Sequence, residues 1–134
     1  MIGILEASLY HALSLTGKKF GIVTTGKAWE TLLAEGVERQ LGGGGRCKGV
    51  ESTGLDADQL HAVPEEELKR RMSEAVVRLV EDGEAEVVCL GCAGMVGLRE
   101  VVVKAASGVG RSVKVVDGVQ AGVGVLVGML ERGY

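Results

Sequence analysis

The residue best suited to chemistry is Cys92, in the segment CLGCAGM at residues 89–95, where an apolar run breaks into glycine. This pattern predicts a change from strand to helix at the cysteine. Free backbone N–H groups and the helix dipole lower the pKa of a thiol at such a position, and the thiolate can then act as a base or a nucleophile. A small buried apolar residue at a tight turn is the alternative, and position alone does not separate the two.

Glycines on both sides of Cys92 extend this prediction to a binding site. Gly91 and Gly94 would let a ligand come close to the backbone. The backbone N–H groups there can hold a carboxylate or a developing enolate.

Cys89 differs from Cys92 because it lies within the apolar run, and we expect it to belong to the core. Redox C-x-x-C pairs usually begin at a helix start with the first cysteine exposed, which this position does not match. A zinc site built from Cys89, Cys92, Cys47 and His61 would need the middle segment of the chain to fold over the end of the sheet, and only one C-x-x-C is present. We therefore predict no metal site.

Thr24 and Thr25 end the first predicted strand, and their hydroxyl groups are further candidates. Because adjacent strand residues point to opposite faces, one hydroxyl can cap the following helix while the other meets a ligand. Asp117 ends the last predicted strand, where it could also bind. We expect Asp117 to cap the helix that follows.

The elements that position these residues alternate between strands and helices, which predicts a parallel sheet covered by helices. One strand spans residues 19–25, a looser one falls within residues 46–56, a third runs from residue 85 into the CLGCAGM motif, and a fourth spans residues 113–118. We expect residues 1–134 to form a single α/β lobe with about four parallel strands and helices on both faces, a flavodoxin-like or Rossmann-like three-layer arrangement. In such sheets, ligands bind beyond the carboxyl ends of the strands.

The first and last helices are predicted from apolar stretches. Residues 1–15 carry Glu6 and His11 and lack a basic leader, so we interpret them as a helix of the fold and not as a signal peptide. The last helix begins at about Val119 and is too short to span a membrane. We expect it to be buried, with small residues that allow close packing at Gly122, Gly124 and Gly128.

The helix after the first strand places Trp29, Leu32 and Leu33 on one face and is predicted to end at Gly36. The four glycines at residues 42–45 predict a surface turn, because the Lys-Ser/Thr ending of a phosphate-binding loop is missing.

The clearest helical pattern starts at Pro64, with acidic residues in the first turn. Its apolar stripe comprises Leu68, Met72, Ala75, Val76, Leu79 and Val80. Helical spacing predicts three ion pairs, which are Glu66 with Arg70, Glu67 with Arg71, and Glu74 with Arg78.

Composition narrows the class of protein. With 46% hydrophobic and 25% charged residues, the 134-residue chain is typical of soluble globular proteins. A net charge of -3 and only 3% aromatic residues argue against a nucleic-acid partner, and no segment predicts a membrane partner. Three cysteines suit a reducing cytoplasm better than a disulfide framework. Composition alone leaves the class of ligand open.

Four segments carry a family resemblance: GILEAS, FGIVTTGKAWETLL, LGCAGM and VVDGVQAGV. In this order they resemble the aspartate/glutamate/hydantoin racemase superfamily, and most closely its hydantoin racemase-like branch, over nearly the whole chain. The resemblance implies a cofactor-independent isomerase that racemises or epimerises an amino acid or hydantoin at the carbon next to a carbonyl or carboxylate. It implies two cysteines on opposite sides of that carbon, one removing a proton and the other delivering one.

By this resemblance Cys92 is one of the two acid/base cysteines. Thr24 and Thr25 match the substrate-binding pair of the family, and the backbone at Ala93 and Gly94 matches the part that holds a carboxylate or ring carbonyl.

Superfamily members have two similar lobes, and the chain resembles the second one, so the first lobe and its cysteine are missing. Cys47 and Cys89 cannot replace that cysteine, because one lies near the start of a strand and the other inside the sheet. The chain could then be one lobe of a racemase, a half-sized protein that pairs two copies to bring two Cys92 thiols together, or a relic that only binds ligand. We expect a homo-oligomer, because a lobe without its neighbour exposes apolar surface.

Two other functions remain open. A non-catalytic binding or assembly domain would use the same pocket without exchanging the α-proton of its ligand. A thiol-disulfide protein would oxidise Cys89 and Cys92 reversibly to an intramolecular disulfide.

Overall fold

The computed structural model describes residues 4–42, 45–56, 58–91, 95 and 98–133. Within them strands and helices alternate along the chain, as the sequence predicts. In chain order the elements are α1 (Ile4–Leu15), β1 (Lys19–Thr24), α2 (Ala28–Leu41), β2 (Cys47–Ser52), α3 (Gln59–Ala62), α4 (Glu65–Val80), β3 (Ala85–Leu90), α5 (Arg99–Gly108), β4 (Lys114–Asp117) and α6 (Gly118–Glu131). The short α3 was not predicted, because four residues are too few to show a helical period.

β1 lies inside the sheet, whose strand order is β2-β1-β3-β4, and every strand pair is parallel. Ile22 of β1 stands opposite Val50 of β2 on one side and Cys89 of β3 on the other. β1 is suited to this place because it is buried on both faces from Phe20 to Thr24. The predicted fold class, a four-stranded parallel sheet with helices on both faces, is confirmed.

Two aliphatic cores cover the two faces of the sheet. Helices α1, α2 and α6 pack on the face that carries Ile22 and Cys89. Helices α3, α4 and α5 pack on the face that carries Val23 and Val88. This division follows from the alternation of side chains along a strand. Cys89 is 1% exposed, so its predicted place in the core is confirmed.

The predicted apolar stripe of α4 is confirmed. Pro64 stands at the N-cap position of this helix. Leu68 packs at the margin of the core, and the stripe buries Met72, Ala75, Val76, Leu79 and Val80.

The ion pairs of α4 are only partly as predicted. Glu67 and Arg71 form the expected pair at 2.8 Å. Arg70 contacts Glu67 and Glu74, and not Glu66, because one guanidinium can reach an acid on the turn before it and another on the turn after it. Arg78 contacts Glu51 of β2 in place of Glu74, since α4 packs close to that strand.

The prediction that α2 ends at Gly36 is wrong, because the helix runs on to Leu41. A Cβ atom at Gly36 would lie 2.7 Å from Cδ2 of Leu5, so glycine here lets α1 and α2 approach each other. The helix ends where Gly42 takes a left-handed conformation with φ of 69° and its N–H bonds to the carbonyl of Glu38.

Two apolar helix faces are less buried than the sequence suggests. Trp29 and Leu32 of α2 are 50% and 51% exposed, while Leu33 packs against the core. Helix α6 buries Gly118 and Ala121 but exposes one apolar face, so the prediction that it is a buried helix is wrong.

In the described part of the chain, each helix falls short of the length and apolarity that crossing a bilayer demands.

Glu67 provides a test of the α4 ion pairs. Hydrogen bonds from Arg70 and then Arg71 lower the pKa of Glu67 from its ordinary value near 4.5 to about 2. A lowered pKa in the folded state adds stability that is complete above the ordinary value and is lost as the pH falls through the folded value. We expect Glu67→Gln to reduce the free energy of unfolding modestly near neutral pH. Urea unfolding should show this deficit shrinking between about pH 4.5 and about pH 2.

The matched control is Glu66→Gln. Glu66 lies in the same first turn of α4, but it takes part in none of the ion pairs found among the described residues. Equal losses in the two variants would mean that the charge at the helix start, and not the pairing with arginine, sets the stability.

Candidate functional site

The topology of the sheet places a crevice between the carboxyl ends of β1 and β3. The helix that follows β1 packs on one face of the sheet, and the helix that follows β3 packs on the other. The two helices therefore diverge from this sheet edge, and the crevice that such a divergence leaves is where open α/β sheets bind ligands. Thr24 and Thr25 lie on one side of this crevice, and Gly91 lies on the other.

Backbone hydrogen bonds hold this edge in place. The N–H of Gly91 donates to the carbonyl of Val23 at 2.7 Å, which joins the end of β3 to the end of β1. On the other side of β1, the N–H of Thr53 donates to the carbonyl of Thr24 at 3.0 Å. The Thr53 hydroxyl donates to the carbonyl of Thr25 at 3.1 Å. Thr53 is therefore a structural residue that fixes the backbone of the threonine pair.

Both candidate threonines are almost fully buried, with exposures of 1% for Thr24 and 2% for Thr25. The expectation that one of them caps the next helix is wrong, because the cap position of α2 is Lys27 and no side chain bonds there. The chain makes a turn first, in which the N–H of Trp29 donates to the carbonyl of Gly26. A Thr hydroxyl two or three residues earlier is therefore too far back to act as the cap.

Asp117 has the structural role that the sequence favours. It is the N-cap of α6, and its Oδ1 atom accepts hydrogen bonds from the N–H groups of Val119 at 2.9 Å and Gln120 at 3.3 Å. The side chain lies at the same sheet edge as the threonine pair, next to Leu90 in the strand register. These hydrogen bonds to the start of α6 give Asp117 a structural role.

At Gly91 the chain packs too closely to accept a side chain. A Cβ atom there would lie 2.9 Å from Cγ2 of Ile22, 3.1 Å from the carbonyl oxygen of Val23 and 3.2 Å from Cδ1 of Leu33. The close approach predicted for a ligand at Gly91 is therefore made by other parts of the chain, below the crevice. Cys92, Ala93 and Gly94, which follow in the sequence, lie outside the described residues.

A small apolar cavity of about 160 Å³ adjoins Gly91 on the face covered by α1 and α2. Its walls include Leu5, Ile22, Leu33 and Cys89. Ser8 also lines it, but its hydroxyl donates to the carbonyl of Ile4 at 2.8 Å. A cavity of this size and lining accepts an apolar group about as large as a benzene ring.

The two described cysteines are unsuited to acid/base work. Burial, and then the neighbouring Cys47, raise the pKa of Cys89 to about 12. Burial also raises the pKa of Cys47, which lies at the start of β2. Both are free thiols. The described residues contain no group of three His, Cys, Asp or Glu side chains that could hold a metal ion.

Several polar and charged residues that the sequence analysis did not single out border this edge. The hydroxyl of Ser52, at the end of β2, donates to Glu30 of α2. Arg78 of α4 donates to the carbonyl of Ser52 at 3.1 Å. Asp56 lies over the turn after Thr25, since a Cβ atom at Gly26 would meet its Oδ1 atom. In the sequence, Glu30 is marked only by its place in the first turn after the threonine pair, and Arg78 was predicted to pair with Glu74.

Comparison with known proteins shows which proteins the chain resembles. The family model for Asp/Glu/hydantoin racemase matches residues 1–126. An uncharacterized protein of Schizosaccharomyces pombe is 38% identical over 128 residues, which make up 96% of this chain and 52% of that protein. A hydantoin racemase of Rhizobium meliloti is 30% identical over 134 residues, which make up 100% of this chain and 52% of that protein.

Solved structures give the same result. The crystal structure of an allantoin racemase from Pseudomonas fluorescens superimposes with a TM-score of 0.78 and 31% sequence identity. The match covers 97% of this chain and 52% of that one. The chain thus spans about half the length of the relatives it matches.

The burial of the two described thiols predicts how the cysteines react. We expect iodoacetamide near neutral pH to leave Cys89 unmodified in the folded protein, because a thiol with a pKa of about 12 carries almost no thiolate there. Cys89 should react only after unfolding in urea. Peptide mass spectrometry at successive times measures this, and fast labelling of Cys89 in the native protein would contradict the buried position.

Gly91→Ala tests the packing below the crevice. The new methyl group meets a backbone carbonyl and two core side chains, so we expect a loss of about 1–3 kcal/mol in the free energy of unfolding. Gly17→Ala is the matched control, because a Cβ atom at Gly17 meets nothing within 4 Å. Urea unfolding of both variants gives the comparison, and an unchanged Gly91→Ala protein would contradict the close contact.

Proposed function

The chain belongs to the Asp/Glu/hydantoin racemase family, and we propose that it supplies one of the two thiol acid/bases of a cofactor-independent racemase or epimerase. In this proposal Cys92 exchanges a proton with the α-carbon of an amino acid or a hydantoin. The observation that carries the proposal is the crevice at the carboxyl ends of β1 and β3, because the chain enters the CLGCAGM motif directly at the end of β3.

The chemistry explains why a thiol is needed at that position. Inverting a carbon centre requires a base on one side of the carbon and an acid on the other, each within hydrogen-bond reach. One thiolate takes the α-proton, and the electron pair left behind moves into the adjacent carbonyl to form an enolate. The opposite thiol then donates a proton to the other face of the carbon, so the two sulfurs exchange protonation states in each turnover.

The remaining candidate residues would bind the substrate. We assign the hydroxyls of Thr24 and Thr25 to the polar groups of the ligand, since both residues lie on the β1 side of the crevice and Thr53 fixes their backbone. The backbone of Gly91, Ala93 and Gly94 would hold the carboxylate or ring carbonyl on which the enolate charge develops. Preorganised N–H groups stabilise such a charge without reorganising during the reaction.

The described thiols support the choice of Cys92 by elimination. Cys89 is sealed between the sheet and the helices, and its pKa is about 12. Cys47 lies at the amino end of β2, on the opposite edge of the sheet from the crevice. The position of Cys89 also weakens the thiol-disulfide alternative, because exchange requires an accessible sulfur.

The class of substrate is proposed from the relatives and from the cavity. The relatives include proteins named hydantoin racemase and allantoin racemase, so a cyclic ureide is the first class to test. The apolar cavity beside Gly91 could accept a small alkyl or aryl substituent of such a ring. A reducing compartment such as the cytoplasm fits the free thiols of Cys47 and Cys89.

Solvent exchange tests the reaction. In deuterium oxide, we expect the protein to introduce deuterium at the α-carbon of a 5-substituted hydantoin, as read by proton NMR. Cys92→Ala should reduce the rate at least about 100-fold, since removing a positioned acid/base group costs about that much. Cys47→Ser is the matched control, because it removes a thiol at the other edge of the sheet, and it should leave the rate unchanged.

The outcome also separates enzyme from binding domain. Hydantoin binding in NMR titrations without any exchange would contradict the acid/base role and leave a domain that only binds its ligand. If deuterium exchange persisted in Cys92→Ala, another residue would have to transfer the proton.

A further inference from the structure

The apolar cavity beside Gly91 has a definite size and a uniform lining, and both limit what can occupy it. Its volume is about 160 Å³. Aliphatic side chains form most of its described wall, and these are Ile4, Leu5, Ile22, Leu33 and Leu90. A cavity of about this volume with such walls accepts a benzene ring. The size of the cavity therefore corresponds to one six-membered ring.

The two other side chains of the described wall, Ser8 and Cys89, leave the cavity without a free polar group. The hydroxyl of Ser8 donates to the carbonyl of Ile4 at 2.8 Å. Burial raises the pKa of Cys89 to about 12, so its thiol stays neutral. A charged or strongly polar group entering the cavity would lose its hydrogen bonds to water without gaining new ones. The occupant must therefore be apolar.

The cavity lies at the same edge of the sheet as the crevice. Ile4 begins α1 and is 48% exposed, so one wall of the cavity reaches the surface. Gly118 follows the carboxyl end of β4, and a Cβ atom there would meet Cγ2 of Ile4 and lie 2.9 Å from the Oγ atom of Ser8. The first turn of α1 is thereby placed beside the carboxyl ends of the strands.

Gly91 connects the crevice to the cavity. It ends the β3 side of the crevice, and it also lines the cavity. A Cβ atom at Gly91 would stand between Ile22 at 2.9 Å and Leu33 at 3.2 Å, which are two of the cavity walls. A ligand bound in the crevice therefore has only the backbone of Gly91 between it and the cavity.

Among the wall residues, Leu33 is the one best placed to set the size of the cavity. Ile22 and Leu90 belong to the strands of the sheet. Leu5 packs where α1 crosses α2, with its Cδ2 atom 2.7 Å from the position of a Cβ atom at Gly36. Leu33 lies in the second turn of α2, the helix that follows the threonine pair, and is only half-buried. Its length can change without opening the sheet or the contact between α1 and α2.

We infer that the cavity is the subsite for an apolar ring on C5 of a hydantoin, the carbon that exchanges its proton, and that Leu33 sets the size of ring it accepts. A phenyl ring fits, whereas an indole ring is too large for about 160 Å³. The choice of a hydantoin rests on the proposed function. The limits on size and polarity depend only on the cavity.

The test compares the binding of 5-benzylhydantoin and 5-methylhydantoin in NMR titrations. We expect the benzyl compound to bind at least about tenfold more tightly, because burying a phenyl ring gains more than the 1.4 kcal/mol that a factor of ten represents. The ring should also shift the methyl signals of Leu5, Ile22 and Leu33, which line the cavity. The methyl signals of Leu32, which is 51% exposed, should stay in place.

Leu33→Phe tests the assignment of the wall. The larger side chain should fill the cavity and bring the ratio of the two affinities close to one. Leu32→Phe is the matched control, because it makes the same change at the neighbouring, exposed position of α2 and should keep the tenfold ratio. Circular dichroism verifies that each variant folds.

Leu33→Ala is a second variant that acts in the opposite direction. It enlarges the cavity, so we expect it to bind 5-(indol-3-ylmethyl)hydantoin more tightly than 5-methylhydantoin. The wild-type protein should show no such preference for the indole ring, because its cavity is too small. A gain for the larger ring cannot arise from a general loss of stability.

Three results would overturn the inference: no binding of either hydantoin, equal binding of the two by the wild-type protein, or a benzyl preference that persists in Leu33→Phe. Binding needs no turnover, so the two proposals fail separately. A benzyl preference that depends on Leu33, without deuterium exchange, would contradict the proposed function alone. Deuterium exchange without any benzyl preference would contradict the subsite alone.

Discussion

The hydrogen bonding of β1 to a parallel strand on each side is the constraint on which the rest of the structure depends. Because β1 is paired with both β2 and β3, the chain must leave it toward one face of the sheet and leave β3 toward the other. The crevice between Thr24 and Gly91 is the result of this divergence. The bond from the N–H of Gly91 to the carbonyl of Val23 sets the width of the crevice at its base. The catalytic proposal, the cavity and the cap of α6 all depend on this edge.

Much of this arrangement could be predicted from the sequence, because local patterns determine it. Continuous apolar and β-branched residues indicate strands buried on both faces, and this is true of β1 and β3. The rule that ligands meet the carboxyl ends of parallel strands then selects the threonine pair, Gly91 and Asp117 from 134 residues. The role of Asp117 was also predictable, since aspartate before a helix accepts bonds from free N–H groups.

Properties that depend on neighbours distant in sequence were harder to predict. Gly36 looks like a helix stop, but its lack of a side chain serves the contact with Leu5 of α1. Arg78 has a helical partner at the right spacing and nevertheless bonds to Glu51 of β2. The apolar residues of α6 indicate burial correctly for one side of the helix only, because no sequence pattern reveals which helix reaches the sheet first.

The packing of α1 has a consequence for how the chain folds. Helix α2 touches α1, but most of the contacts of α1 are with β3, β4 and α6, which begin at residue 85 or later. Contacts between distant segments form slowly because closing the intervening loop costs entropy, so α1 docks late. Until then its apolar residues, Leu9 and Ala12 among them, remain in water. An amphipathic helix that waits for distant partners is also a segment through which partly folded chains can associate, so folding and aggregation compete at α1.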